Sequence, residues 1–182
     1  MAHIHTGEGQ HDATVSFLIV RKFDEDEQYR VLFHRHKRTG LVAACGGHIE
    51  LDEHPWAAAM RELAEEAGYE PGQVYVLQPY GSLRTVEGAT VHPLPVISWT
   101  AAYPGEPGHF HTDLLYALST GEDPAHAPGE GESTELLWLT ADELRAFDSD
   151  DIVTPFRDAA LHILDRCWDW TYQSCPVSDF DY

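Results

Sequence analysis

The chain has 182 residues (20.4 kDa), 43% of them hydrophobic and 23% charged, which suits one globular domain (1–182) with a real core and leaves little room for a second. Its 31 Asp and Glu against 11 Lys and Arg give a net charge of −20, and protonating all 12 His would leave it negative; such a surface repels polyanions and argues against nucleic-acid polymers and anionic membranes as partners. No run approaches the length of a membrane span, the start MAHIHTGEGQ lacks the basic and apolar regions of a signal peptide, and Cys45, Cys167 and Cys175 form no disulfide framework, so a cytoplasmic protein is expected.

In chain order, His3, His5, His11 and Asp12 precede the first strand. They read either as a mobile amino terminus or as an arm (1–12) folded over a pocket, its histidines beside His48 and His111. Residues 13–22 and 29–34 are rich in β-branched and aromatic side chains and flank Asp24-Glu25-Asp26-Glu27, the pattern of a hairpin. A basic turn, Arg35 to Arg38, leads to Gly46-Gly47 and then to the clearest helix. Pro55 suits a first helical position, Gly68 suits the residue just past the end, and Pro71 prevents continuation. Trp56, Met60, Leu63 and Ala67 recur on one stripe, which predicts a core-facing surface. His54, at the N-cap, is a poor capping residue. Residues 73–86, 90–102 and 109–118 read as strands, 120–133 as a Gly/Pro/acid loop, 136–139 as a short strand, 141–147 as a short helix capped by Thr140, and 155–166 as a final amphipathic helix. Strands before, between and after helices predict a mixed sheet between helical layers.

Four acids stand out around the main helix: Glu53 in its approach, then Glu62, Glu65 and Glu66. At 100° per residue, Glu62 and Glu66 lie about 40° apart in projection and Glu65 about 60° from Glu62 on its other side, so all three crowd one side of the helix. Such like charges are mildly destabilising unless water or a shared cation takes them up. For an arbitrary E-x-x-E-E a solvated face is the commoner reading. Here the surroundings are patterned: Gly47, five residues, Glu53, seven residues, then Arg61-Glu62-Leu63-x-Glu65-Glu66-x-Gly68 and an apolar residue. The stretch resembles the Nudix box at every fixed position, a match expected by chance in about one sequence in 10⁵–10⁶ for independent residue frequencies. The resemblance covers residues 47–69 tightly and 13–147 loosely, through element order. Cys45 stands where many Nudix sequences have proline and Tyr69 where an aliphatic residue is commoner; neither is expected to touch a carboxylate.

The resemblance implies a Nudix-like α/β/α sandwich with a mixed β-sheet between helices, and a hydrolase of diphosphates linked to another moiety that depends on Mg²⁺ or Mn²⁺. It assigns the Gly47 main-chain oxygen, Glu62, Glu65 and Glu66 as metal ligands, and Arg61 as the group that orients them, through Glu65 at i,i+4 or through Glu53. A hard cation held by clustered carboxylates is the expected partner of phosphate chemistry. The general base falls to Glu62 on the helix or to Glu132, in Glu132-Ser-Thr-Glu135 before the Trp138 strand, with Glu106 and Glu130 as outsiders. The partner is a small phosphorylated metabolite.

Outside the box, His109, His111 and Asp113 alternate onto one strand face, read as a wet sheet face or as a pocket wall, metal site or proton relay. A similar H-x-H-x-D strand in Nudix-like proteins of unassigned substrate favours the pocket wall. Arg35 in the basic turn and Arg84 are candidate phosphate contacts, against a solvated turn as the plainer reading of the first. The tail with Trp168, Trp170, Tyr172, Phe180 and Tyr182 is too aromatic for a disordered end, and is expected to dock on its own domain or across a homodimer. Two other functions stand against hydrolysis. A catalytically silent nucleotide-metabolite sensor tends to lose box glutamates, which this chain keeps. An isomerase of the isopentenyl-diphosphate type needs a catalytic cysteine and glutamate that find no match here.

Overall fold

The computed structural model describes residues 7–103, 107–166 and 172–182. Among them nine strands form one sheet: β1 (His11–Lys22), β2 (Tyr29–Arg35), β3 (Val42–Ala43), β4 (Cys45–His48), β5 (Tyr75–Pro79), β6 (Ile97–Ala102), β7 (Phe110–Ser119), β8 (Leu136–Leu139) and β9 (Tyr172–Pro176). The main path runs β3-β2-β1-β7-β5-β9, with β4 also on β1, β6 on β7 and β8 on β2. The β1–β7 pair is parallel and the other pairs are antiparallel, which makes the sheet mixed.

Helices cover both faces. On one lies α1 (Pro55–Glu62), whose Trp56 and Met60 pack with Leu63 against Val15, Phe17 and Ile19. On the other, Leu144 of α2 (Ala141–Ala146) and Ala160 and Ile163 of α3 (Thr154–Arg166) pack against Leu18 and Val20. Because β1 is buried from both sides, Val15 to Val20 read as a nearly continuous apolar run broken by Ser16, instead of an alternation. The Trp56 ring is fully buried and meets Tyr116 edge-on at 5.1 Å. Truncating such a ring costs about 3–5 kcal/mol, so α1 is pinned to the sheet at its first turn.

The predicted strands at 73–86 and 90–102 shorten to β5 and β6, and residues 80–96 between them are irregular. Gly81 and Gly88 take positive φ there (74° and 75°), and Pro93 and Pro95 remove two ladder donors. Buried Gln78 replaces the missing ladder, accepting from the Leu94 N–H and donating to the Leu94 carbonyl, each at 2.9 Å. The described part of the tail docks on its own chain. β9 extends the sheet beyond β5, and Phe180 reaches the Trp56 ring at 6.2 Å. Trp168, Trp170 and Cys167 lie outside the described residues. Among those described, no helix is long and apolar enough to cross a membrane.

Candidate metal centre

The main helix begins with a histidine cap. His54 is extended (φ −96°, ψ 163°) and its Nδ1 accepts from the Ala57 N–H at 3.1 Å, so an imidazole does here what Ser or Asp does elsewhere. The last turn, Leu63–Ala67, widens into a π turn and stops at Gly68 with φ 73°. That widening alters the even helical projection read from the sequence. Glu62 and Glu66 are buried, at 3% and 7% exposure, whereas the Glu65 side chain is 51% exposed. The three glutamates therefore do not share one environment.

Arg61 manages most of the charge. Its guanidinium donates to Glu53 (2.8 and 3.2 Å), Glu62 (2.7 Å), Glu65 (3.0 Å) and the His48 carbonyl (3.1 Å). It thus takes both partners expected of it and Glu62 as well. The hydrogen bonds to Glu53 and Glu62 raise the Arg61 pKa, and the guanidinium in turn holds Glu53 below the usual carboxylate range. Glu62 is nevertheless raised, because burial outweighs its contact with Arg61.

Glu66 lies beyond that clamp. It accepts from the Gly46 N–H at 2.7 Å and faces Glu62 and Glu132, and burial pushes its carboxyl well above the usual range, with both acids raising it further. The His34 Nδ1, 3.8 Å away, brings no positive charge at neutral pH, since burial lowers that imidazole to about 4. Glu132 is delivered by a loop fastened to the end of the main helix and to the basic turn after β2. The His126 N–H donates to the Gly68 carbonyl (3.2 Å), the Gly129 N–H to the Glu65 carbonyl (2.7 Å), and Lys37 Nζ to the Gly131 carbonyl (2.7 Å). Gly47 completes the group. A Cβ at that position would run into the Glu62 carboxylate, so the chain and the acid fit against each other only without a side chain.

The remaining candidates fall elsewhere. Arg35 is spent on Glu135 and the Gly40 carbonyl, both at 2.9 Å, and braces the strand that follows Glu132. Arg84 lies at the tail, donating to the Cys175 sulfur at 2.8 Å with its guanidinium over the Phe180 ring. Cys45 differs from expectation. It is fully buried, and with His34 and Glu66 it forms a set of donor atoms mutually within 4.8 Å, so the residue in the usual proline position does approach a carboxylate. Asp113 is buried, accepts from Thr14 (2.7 Å) and Ser16 (3.0 Å), and is raised by burial to about 6. His109 and His111 gather with Asp12 and His48. The His48 side chain leaves β4 on the side opposite Gly47's approach to Glu62. Asp12 and His48 carry no box signal; only the registers of β1 with β4 and with β7 bring them to His111. His3, His5 and Glu106 lie outside the described residues.

The donor set suits a hard divalent ion. Glu62, Glu66 and Glu132 offer oxygens in a buried space where Arg61 reaches the first alone of the three, and negative charge is left over. The NUDIX domain model matches residues 12–158. No curated protein matches the chain. Among solved structures it is similar to a hydrolase of the NUDIX family from Clostridium perfringens, with 29% identity, 86% of this chain and 97% of that one covered, and a TM-score of 0.69. Two further likenesses show the fold: a NUDIX hydrolase from Nitrosomonas europaea (15% identity, 95% and 97% covered, TM-score 0.61) and the NUDIX domain of Shewanella oneidensis NrtR complexed with ADP ribose (17%, 82% and 86%, 0.57). With most of its length matched, with the box glutamates on the helix that the pattern demands, and with helices on both faces of a mixed sheet, the chain belongs to the NUDIX domain family.

Proposed function

We propose that the chain is a divalent-metal-dependent pyrophosphohydrolase that cleaves a phosphoric anhydride in a nucleoside or sugar diphosphate linked to another moiety. Mg²⁺ or Mn²⁺ would be held by the Gly47 main-chain oxygen, Glu62, Glu65 and Glu66. The observation that carries this reading is the convergence of buried Glu62 and Glu66 with half-buried Glu132 beside a glycine that leaves no room for a side chain. The Shewanella domain holds ADP ribose, itself a diphosphate bridging two sugars, which supports the substrate class.

A bound ion of this kind offsets phosphate charge and lowers the pKa of a coordinated water. The protein's residues do the positioning. Arg61 fixes Glu62 and Glu65 in advance, so less ordering remains when substrate arrives. Gly46 holds Glu66 by its N–H. Glu132 faces Glu66 outside the contacts of Arg61, and we assign it the removal of the attacking water's proton, ahead of Glu62, which Arg61 already engages. Lys37 and Arg35 keep the segment bearing Glu132 in place.

Glu66→Gln tests the reading, because it keeps the side-chain shape and removes the charge. Turnover of a panel of nucleoside and sugar diphosphate derivatives with Mg²⁺ or Mn²⁺ should fall by orders of magnitude while the circular dichroism spectrum is unchanged. Near wild-type hydrolysis in that variant would refute the assignment.

A further inference from the structure

On the face of β4 turned away from Glu62, side chains converge from three strands and from His109, the residue before β7. Register explains why. Asp12 of β1 lies beside His111 of the parallel β7, and Thr14, two residues on and on the same face, lies beside His48 of the antiparallel β4. Asp12 is almost wholly buried, at 1% exposure, and its Oδ2 stands 3.4 Å from the Nε2 atoms of both His48 and His109. The His48 and His111 rings meet edge to face at 5.0 Å. One donor atom each of Asp12, His48 and His111 lies within 4.8 Å of the other two. His48 and His111 are half-buried, so the cluster opens to solvent on their side, where the Tyr103 ring covers His111 at 4.6 Å.

We propose that Asp12, His48 and His111 form a second metal site, separate from the glutamates and selective for a divalent transition ion of the zinc class. Two imidazoles and one carboxylate suit Zn²⁺, Co²⁺ or Fe²⁺, whereas Mg²⁺ prefers an all-oxygen set. Among the described residues these three supply the ligands, and a three-ligand set of this kind is completed by one further donor. His109 sits behind Asp12 and positions the carboxylate, as partners of ligating carboxylates do. Asp113, the nearest acid along β7, takes the Thr14 and Ser16 hydroxyls on its Oδ1 and lies outside the set of mutually close donor atoms. An ion here would tie β1, β4 and β7 together at the residue that follows Gly47, so its occupancy would brace the turn that carries the glutamate site.

The test is titration of the chelator-stripped full chain with CoCl₂, read by visible absorption and by melting temperature. The expected result is a Co²⁺ band that saturates near one equivalent, is bleached by one equivalent of Zn²⁺, and accompanies a rise in melting temperature. His48→Ala and His111→Ala should each abolish the band, and His109→Gln should weaken binding about 10-fold. Glu66→Gln and the exposed His162→Ala should leave it intact, which separates this site from the hydrolytic one. Folding of each variant is checked by circular dichroism, and either half-buried histidine variant suffices if the other does not fold. A titration without saturation, a band that survives both histidine substitutions, or a band lost in Glu66→Gln would overturn the proposal.

Discussion

The two sides of β4 solve the problem of buried polar groups in different ways. On one, Glu62 and Glu66 come from consecutive turns of one helix, and a single guanidinium on the same helix restrains most of the surrounding charge. On the other, Asp12, His48 and His111 come from three strands, and strand register alone brings them together. The helical cluster is compact in sequence and sensitive to any change in its clamp. The strand cluster is dispersed in sequence, and a one-residue slip of β1 would send Asp12 to the opposite face.

Substitutions at three positions probe this contrast, the most damaging first. Gly47→Ala puts a methyl group where the Glu62 carboxylate lies, and the flexible acid gives way before the strand does. The expected result is a loss in turnover of about 10²-fold, the cost of misplacing a catalytic group by an ångström, with melting little changed. Arg61→Ala leaves Glu53, Glu62 and Glu65 without their common partner. Chemical denaturation should show a loss of about 3 kcal/mol, toward the lower end for breaking a buried pair because the guanidinium is partly open to solvent. Arg61→Lys should recover little of it, since an ammonium cannot reproduce the fork that serves four acceptors. His54→Ala removes the cap on the Ala57 N–H and should cost about 1 kcal/mol, with His54→Asn restoring it. Equal stability of the alanine and asparagine variants would show the cap to be idle.

Much of the fold was written in the sequence as period and punctuation. β1, β2, β7, β8 and all three helices lie close to their predicted spans because apolar runs, Pro55, Gly68 and the Thr140 cap are local signals. The irregular stretch 80–96 was less legible, since its apolar residues look strand-like while a distant side chain, Gln78, supplies the hydrogen bonds. At the site, Glu62, Glu66, Gly47 and Arg61 followed from spacing. The greater exposure of Glu65, which still meets Arg61, did not, because a π turn leaves no mark in residue identity. His54 as a cap, Cys45 beside Glu66, and the meeting of Asp12 with His48 all depend on three-dimensional placement. The H-x-H-x-D strand was visible, but its partners on β1 and β4 emerge only once parallel and antiparallel registers are known.

Anomalous diffraction from crystals soaked in Mn²⁺ would locate the ion among its ligands. The expected result is a peak bounded by the Gly47 carbonyl, Glu62, Glu65 and Glu66, with Arg61 drawn off Glu62 as the ion takes over its charge. A clean map there, with Glu62 still paired to Arg61 at saturating Mn²⁺, would contradict it.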